Sequence, residues 1–508
     1  MSSVKSLAKD TAVYGLSSII GRFLNWLLVP LYTNMFASDV YGEVTYIYAI
    51  VAVALIVLTY GMETGFFRFA NHERYPDPAV VYSTAMTSLA VSSALFLGAV
   101  LLFLGPVSEA LHCPANPSFA ALMAATVAID AFSAIPFSYL RYKRRPLRFA
   151  ALRLIGIALN IGLNIFFILI CPWLWEQAPG LIVWFYDPAY GIGYIFLANF
   201  ISSLAMLLLL TPDFAGFRWR FDSRLWREML VYSFPLLILG IAGIMNQTVD
   251  KILLPWLIPD KADAMAQLGI YGANYKIAVV MVMFIQAFRF AYEPFIFAHH
   301  KAKSAAAGSA DGGSGADPNK PFIDAMTYFI IFSMAIFLGV MFFLDTIRHF
   351  ISPAYYSGLK VVPVVMLAEF FFGVFFNLSL WYKLTDRTVW GTYFTLIGLG
   401  VTLGLNILLV PHIGYMGAAW AAFSCYATMM TLSYLVGRRK YPIAYDLKTA
   451  ALYVVTAIFL YGVAAILTVG NLWIDYPVRT LLLAVYLVMA VRHQHIPLPS
   501  VRSLLHRR

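Results

Sequence analysis

The chain has 508 residues, 61% of them hydrophobic and only 12% charged, with a formal net charge of +10. Soluble globular domains carry about a quarter charged residues, so this composition excludes one and defines a polytopic α-helical membrane protein. Three cysteines (Cys113, Cys171, Cys425) show neither metal-ligand spacing nor a disulfide framework.

The first ten residues are polar, with Lys5 and Lys9, and the apolar run over 11–36 is too long for a cleavable signal. That run reads as the first span. Further spans are predicted over 43–67, 80–104, 117–140, 147–171, 184–210, 229–258, 268–298, 322–345, 361–384, 389–411, 414–437, 448–470 and 473–491. The total is about fourteen, and runs of this length cross roughly 30 Å of hydrocarbon.

Alternate loops separate by charge. One side collects Arg68 and Arg74, Arg141 to Arg148, Arg218 to Arg227, Lys301 to Lys320, Lys383 and Arg387, and Arg438 to Lys448. The other side has only Lys261, Arg348, Lys360 and Arg479. Such a bias predicts cytoplasmic N- and C-termini and an even number of spans. The basic surplus is therefore a topology device that attracts anionic lipid, not a nucleic-acid patch. The Gly/Ser/Ala-rich stretch over 299–321 reads as a flexible cytoplasmic linker.

A weak internal repeat is present. Leu28-Val29-Pro30-Leu31 and Tyr41-Gly42 correspond to Leu253-Leu254-Pro255-Trp256 and Tyr271-Gly272. Gly162-Leu163-Asn164-Ile165 corresponds to Gly404-Leu405-Asn406-Ile407. Six spans per copy is an even number, so both copies enter the membrane in the same orientation. The reading is an all-α protein of two parallel six-helix lobes around a central cavity, plus two C-terminal helices. Residues 1–212 form the first lobe, 213–440 the second, and 441–508 the extra helices and basic tail.

Ionisable residues inside the spans point to the chemistry. Arg22, Glu63, Asp130, Arg153, Asp250, Lys251, Lys276, Arg289, Glu293 and Glu369 would together cost about 25–35 kcal/mol if all faced lipid. No domain has that much stability to spare, so they are expected to face a hydrated cavity. Tyr14, Ser18, Arg22 and Asn25, at spacings of four, four and three, make one polar stripe on the first helix. An arginine fork suits a diphosphate, with a bridge to Glu63 as the structural alternative. Gln286, Arg289 and Glu293 repeat the pattern on the eighth helix, where Arg289 and Glu293 can also pair with each other.

On the seventh helix Asp250 and Lys251 point in different directions, so Lys276 is the expected partner of Asp250 in a gating pair, and Lys251 joins the substrate-binding set. Glu63, Asp130 and Glu369 are candidate proton-coupling acids, with Glu63–Arg68 pairing as the bland reading. Pro30 and Pro255 should bend helices 1 and 7 at matching points, and Pro294 should kink the end of helix 8 as a gating joint. Asn164 and Asn406 read as interhelical hydrogen-bonding groups. Nine histidines at span ends or in loops give no metal site, and no phosphate-binding loop or other cofactor motif is apparent.

Arg22 within Ile20-Gly21-Arg22-Phe23-Leu24, the Val40-Tyr41-Gly42 turn, Tyr60 to Arg68, Phe288 to Phe295 and Leu405 to Trp420 resemble one family. It is the polysaccharide-transporter (O-antigen flippase, Wzx-type) branch of the multidrug/oligosaccharidyl-lipid/polysaccharide (MOP) exporter superfamily. The resemblance covers about residues 1–440. It implies alternating-access flipping of undecaprenyl-diphosphate-linked oligosaccharide across a bacterial cytoplasmic (inner) membrane for lipopolysaccharide O-antigen assembly. Partners would be that lipid, membrane lipid, and the glycosyltransferases and glycan polymerase of the same pathway; no nucleic acid is implied. A multidrug exporter of the same superfamily stands as the alternative, with a glycan polymerase further off. Five in-span cations favour an anionic cargo.

Overall fold

The computed structural model describes residues 15, 17, 19–218, 220–306 and 319–494. The first crossing is helical over 19–26, turns at Leu27 and resumes as α1 (Leu28–Met35). The main helices that follow are α2 (Ser38–Thr59), α3 (Pro78–Leu102), α4 (Pro117–Tyr142), α5 (Pro146–Ile165) and α6 (Gly193–Leu210). The second half continues with α7 (Ser223–Leu257), α8 (Lys261–Ala306), α9 (Lys320–Phe342), α10 (Val361–Leu378), α11 (Val389–Ile413) and α12 (Tyr415–Lys440). Last come α13 (Leu447–Leu467) and α14 (Leu472–His493). Thirteen of the described helical segments are long and apolar enough to cross a membrane, to which α1 adds the described part of the first span. Tyr14, Ser18, the terminal basic residues and most of the 299–321 stretch lie outside the described residues.

The two halves pack alike. In the first, α3 and α2 lie on α4, and α4 and α5 lie on α6; in the second, α9 and α8 lie on α10, and α10 and α11 lie on α12. The matched asparagines make the same local bond. Asn164 donates to the Asn160 carbonyl and Asn406 to the Thr402 carbonyl, each at 2.8 Å. Tyr32 on α1 donates to Asn164 Oδ1 at 2.8 Å, tying α1 to α5. In the second half Leu257 stands where Tyr32 does, and the buried Asn406 Oδ1 has no partner among the described residues. Asn406 is thus an intrahelical group, contrary to expectation.

The halves meet along α2, which packs on both α7 and α8. At the charge-poor end this seam admits no side chain. A Cβ on Gly42 would lie 2.0 Å from the Met265 carbonyl oxygen, and one on Gly269 would lie 1.8 Å from that of Ser38. Tyr355 seals the same end, donating to the Phe36 carbonyl at 2.8 Å and meeting the Tyr41 ring edge-on.

Three expected boundaries shift. The second span breaks at Tyr60 and Gly61, both in the left-handed region (φ 33° and 72°), before a short helix Met62–Ala70. The sixth begins at Gly193, because Asp187-Pro188 and Gly191 (φ 50°) hold the preceding residues in short 3₁₀ turns. Finally, α8 does not end at 298 but runs on through Pro294 to Ala306. A proline removes one donor from the ladder, which a long, well-anchored helix tolerates. Outside the membrane, Asp446 caps α13 by accepting from the Thr449 hydroxyl and N–H, bonds that hold its carboxyl below its ordinary range.

Candidate functional site

Arg22 and Asn25 sit exposed on the first helix, just before the Leu27 turn. Among the described residues Arg22 forms no ion pair, so the bridge to Glu63 is not made. One turn further, the Trp26 indole N–H donates to the Lys276 carbonyl at 2.7 Å, bringing the first helix against α8. The Lys276 side chain is likewise exposed and without an ion pair among the described residues, and the charge acting on it is another cation, Lys251. Two facing helices therefore present unneutralised positive groups around one contact. An anion is the ligand such a potential attracts.

Lys251 itself is neutralised, which corrects the expected Asp250–Lys276 pair. Its ammonium reaches both Asp250 carboxylate oxygens at 3.1 Å and the Gln247 carbonyl at 3.0 Å. A four-carbon stem folds back far enough to defeat the 100° separation of adjacent helical residues. The buried Asp250 also accepts from Tyr271 at 2.6 Å, and the Lys251 ammonium lies 4.1 Å over the Tyr275 ring. Tyr275 donates to the buried Glu369 of α10 at 2.5 Å. Asn246, one turn before Asp250, donates to the Thr395 carbonyl at 3.0 Å, and Tyr426 donates to the Asn246 carbonyl at 3.3 Å. The result is a closed polar network inside the second lobe, linking α7, α8, α10, α11 and α12. The sequence reading missed Tyr275; its place one turn after Tyr271 in the repeat motif was the available signal.

Toward the basic face, Arg289 bonds Glu293 at 3.1 Å, and Lys383 reaches the same Glu293 oxygen at 2.7 Å. The Arg289 guanidinium stacks 4.7 Å from the Phe376 ring, with Gln286 half-buried a turn earlier. Self-pairing is thus realised, with Lys383 as an unforeseen third member that leaves a net positive charge.

The acids of the first half separate. Glu63 pairs with Arg141 at 2.9 Å and accepts from Ser138 at 3.3 Å. Arg68 instead lies 4.2 Å over the Tyr232 ring, since a spacing of five puts it on another face from Glu63. Asp130 is exposed on α4 and within the electrostatic reach of Arg153, which stacks 4.0 Å over Phe137. Asp130 and Glu63 are therefore not brought together with Asp250 and Glu369. Pro30 lies one turn after the Leu27 break, whereas Pro255 stands inside continuous α7, its carbonyl accepting from Lys261 at 3.2 Å. Among the described residues no group of three or more metal-ligating side chains occurs.

Duplicated six-helix lobes, a glycine seam between them and charged groups on the facing helices define a polytopic protein with the fold of MOP-superfamily transporters. The chain belongs to the polysaccharide biosynthesis protein family, whose model matches residues 7–298. Among solved structures it resembles the lipid II flippase MurJ in an inward closed conformation, at 14% identity and a TM-score of 0.70 over 96% of this chain and 99% of that one. An inward-facing multidrug resistance MATE family transporter aligns at 11% identity and a TM-score of 0.64, covering 85% of this chain and 97% of the other. A MOP superfamily transporter from Pyrococcus furiosus, described as having a binding pocket of reverse polarity, aligns at 12% and 0.58 over 88% and 98%. No curated protein matches the chain.

Proposed function

We propose that this protein flips undecaprenyl-diphosphate-linked oligosaccharide from the cytoplasmic to the outer leaflet of a bacterial cytoplasmic membrane, by alternating access, for cell-surface polysaccharide such as O-antigen. It works as a transporter, not an enzyme, with both termini cytoplasmic and residues 1–212 and 213–440 as its rocking lobes. The observation that carries this is the pair of unneutralised cations, Arg22 and Lys276, on helices joined at Trp26. A planar guanidinium and an ammonium on two joined helices suit a diphosphate, and the glycan would pass with Asn25 and Gln286 as hydrogen-bonding neighbours. Arg289 is the further contact, exchanging Glu293 for the cargo while Lys383 retains the acid.

Coupling to an ion gradient falls to Asp250 and Glu369: the bonds from Tyr271 and Tyr275 of α8 to Asp250 of α7 and Glu369 of α10 part if those helices shift, while Lys251 stays beside Asp250 on α7. Export of cationic drugs would need a carboxylate free to meet them. Asp250, Glu293 and Glu369 are all engaged, Glu63 is paired with Arg141, and Asp130 has Ser203 and Arg153 beside it, which favours the anionic cargo.

Conditional depletion followed by lipid extraction tests the reading. The expected result is build-up of an undecaprenyl-diphosphate glycan on the cytoplasmic leaflet; an unchanged carrier pool removes flipping from consideration.

A further inference from the structure

On the flank where α2 and α3 meet α7, in the half of the protein nearer the basic face, lies a groove of about 750 Å³. Its walls are Val91 and Leu95 of α3 and Leu230, Phe234 and Leu237 of α7, with Val57 and Tyr60 at the break in α2. Of the polar side chains that line it, all but the Thr87 hydroxyl are hydrogen-bonded within the protein, Ser92 donating to the Leu89 carbonyl at 3.3 Å. The Trp226 indole N–H donates to Ser88 Oγ at 2.7 Å, and the Tyr60 hydroxyl shares a 2.6 Å hydrogen bond with that same oxygen. A glycan would find one free hydroxyl, whereas hydrocarbon covers a wall that is otherwise apolar or already hydrogen-bonded.

The repeat shows what ordinarily lies on this surface. In the second half the counterpart of α3 is α9, and α13 and α14 pack on it. With the offset that aligns Asn164 with Asn406, Leu95 corresponds to Phe337, whose ring packs on Tyr461 of α13. In the first half no described helix plays the role of α13, and Leu95 is 69% exposed.

From Trp226 to Leu237 the groove wall rises about 16 Å at 1.5 Å per residue, close to half of a roughly 30 Å hydrocarbon core. It is therefore as deep as one leaflet. At its mouth the chain carries Arg220, Arg224 and Arg227 around Phe221, all exposed. The acids nearby are committed. Asp222 accepts from the Arg224 and Leu225 N–H groups at the start of α7, and Glu228 is shared by Arg74 at 3.4 Å, Arg224 at 3.6 Å and the Tyr75 hydroxyl at 2.7 Å. Among the described residues Arg220 and Arg227 form no ion pair.

We infer that this groove is a binding site for an anionic phospholipid of the basic-face leaflet, its chains along α3 and α7 and its headgroup on Arg220, Arg224 and Arg227. Because α2 and α3 belong to one half and α7 to the other, the bound lipid touches both, and its occupancy weights one relative arrangement of the halves over another.

The full-length protein in nanodiscs tests this with brominated lipids that quench tryptophan, taking the Trp226 signal as the difference from Trp226→Phe. Brominated phosphatidylglycerol should quench it several-fold more than brominated phosphatidylcholine at the same mole fraction. Replacing the three arginines by glutamine should bring the two lipids to equal quenching at low salt, with an unchanged melting temperature. Added salt should weaken the preference in the native chain. Equal quenching of the native chain by the two lipids, or a preference that survives the triple replacement, overturns the site. A dimeric protein with an unquenched Trp226 would give the groove to a second copy and overturns it equally.

Discussion

Arg22 and Lys251 are both cations in apolar helices, yet they answer different demands. Lys251 is closed off by Asp250, Tyr271 and Tyr275, and removing one member of such a buried set strands the others. Asp250→Asn is therefore expected to cost about 3–5 kcal/mol of stability, seen as a lower melting temperature and reduced membrane abundance. Arg22 supports nothing comparable in the resting structure. Arg22→Gln should leave abundance unchanged while lowering glycolipid flux by roughly 10–100-fold, the equivalent of one or two lost charged hydrogen bonds. Arg22→Lys should fall between, keeping the charge without the fork. Flux at the native level in the glutamine variant would remove Arg22 from the pathway. The isolation of Arg22 was legible in the sequence because a lone charge in a long apolar run has no local partner to hide behind. The Lys251–Asp250 bond was not, because a helical-wheel argument treats side chains as rigid spokes and lysine is not one.

Among the elements, apolar runs long enough to cross the membrane announced the helices themselves. Their interruptions depend on what packs against them. The α2 break occurs at Tyr60-Gly61, where α7 presses in so closely that a Cβ on Gly61 would lie 3.2 Å from both the Ser233 carbonyl oxygen and Leu236 Cβ. A left-handed residue costs an L side chain about 1–2 kcal/mol, so Gly61→Ala should destabilise by at least that amount, measured by thermal unfolding in detergent. A melting temperature equal to the native one would mean that the break relaxes freely. Nothing in the local sequence around Pro294 signals that α8 continues through it, since the triad that bridges its flank draws Lys383 from ninety residues away. The same distance hid the Tyr275–Glu369 bond, although both residues stood in plain view as a motif neighbour and a membrane acid.

At the scale of the molecule, two lobes that share one packing plan meet on a glycine seam, and transport by rocking requires the seam to part. Thr45 of α2 and Gly272 of α8 face each other there. A Cβ on Gly272 would come within 2.7 Å of Thr45 Oγ1 and 3.4 Å of Thr45 Cβ. The closest of these clashes is with the threonine's own side chain, so replacing both residues with cysteine relieves it and leaves Cβ atoms near the separation that disulfides adopt. The Thr45→Cys/Gly272→Cys protein should cross-link on oxidation, as a faster-migrating band that reductant reverses. Cross-linking should stop glycolipid flux, and reductant should restore it, while Thr45→Cys alone transports in both conditions. Complete cross-linking with undiminished flux would mean that the charge-poor end never opens. The cargo would then have to leave by a path outside the α2–α8 seam, and the cations at Arg22 and Lys276 would lose their role as a gateway between the lobes.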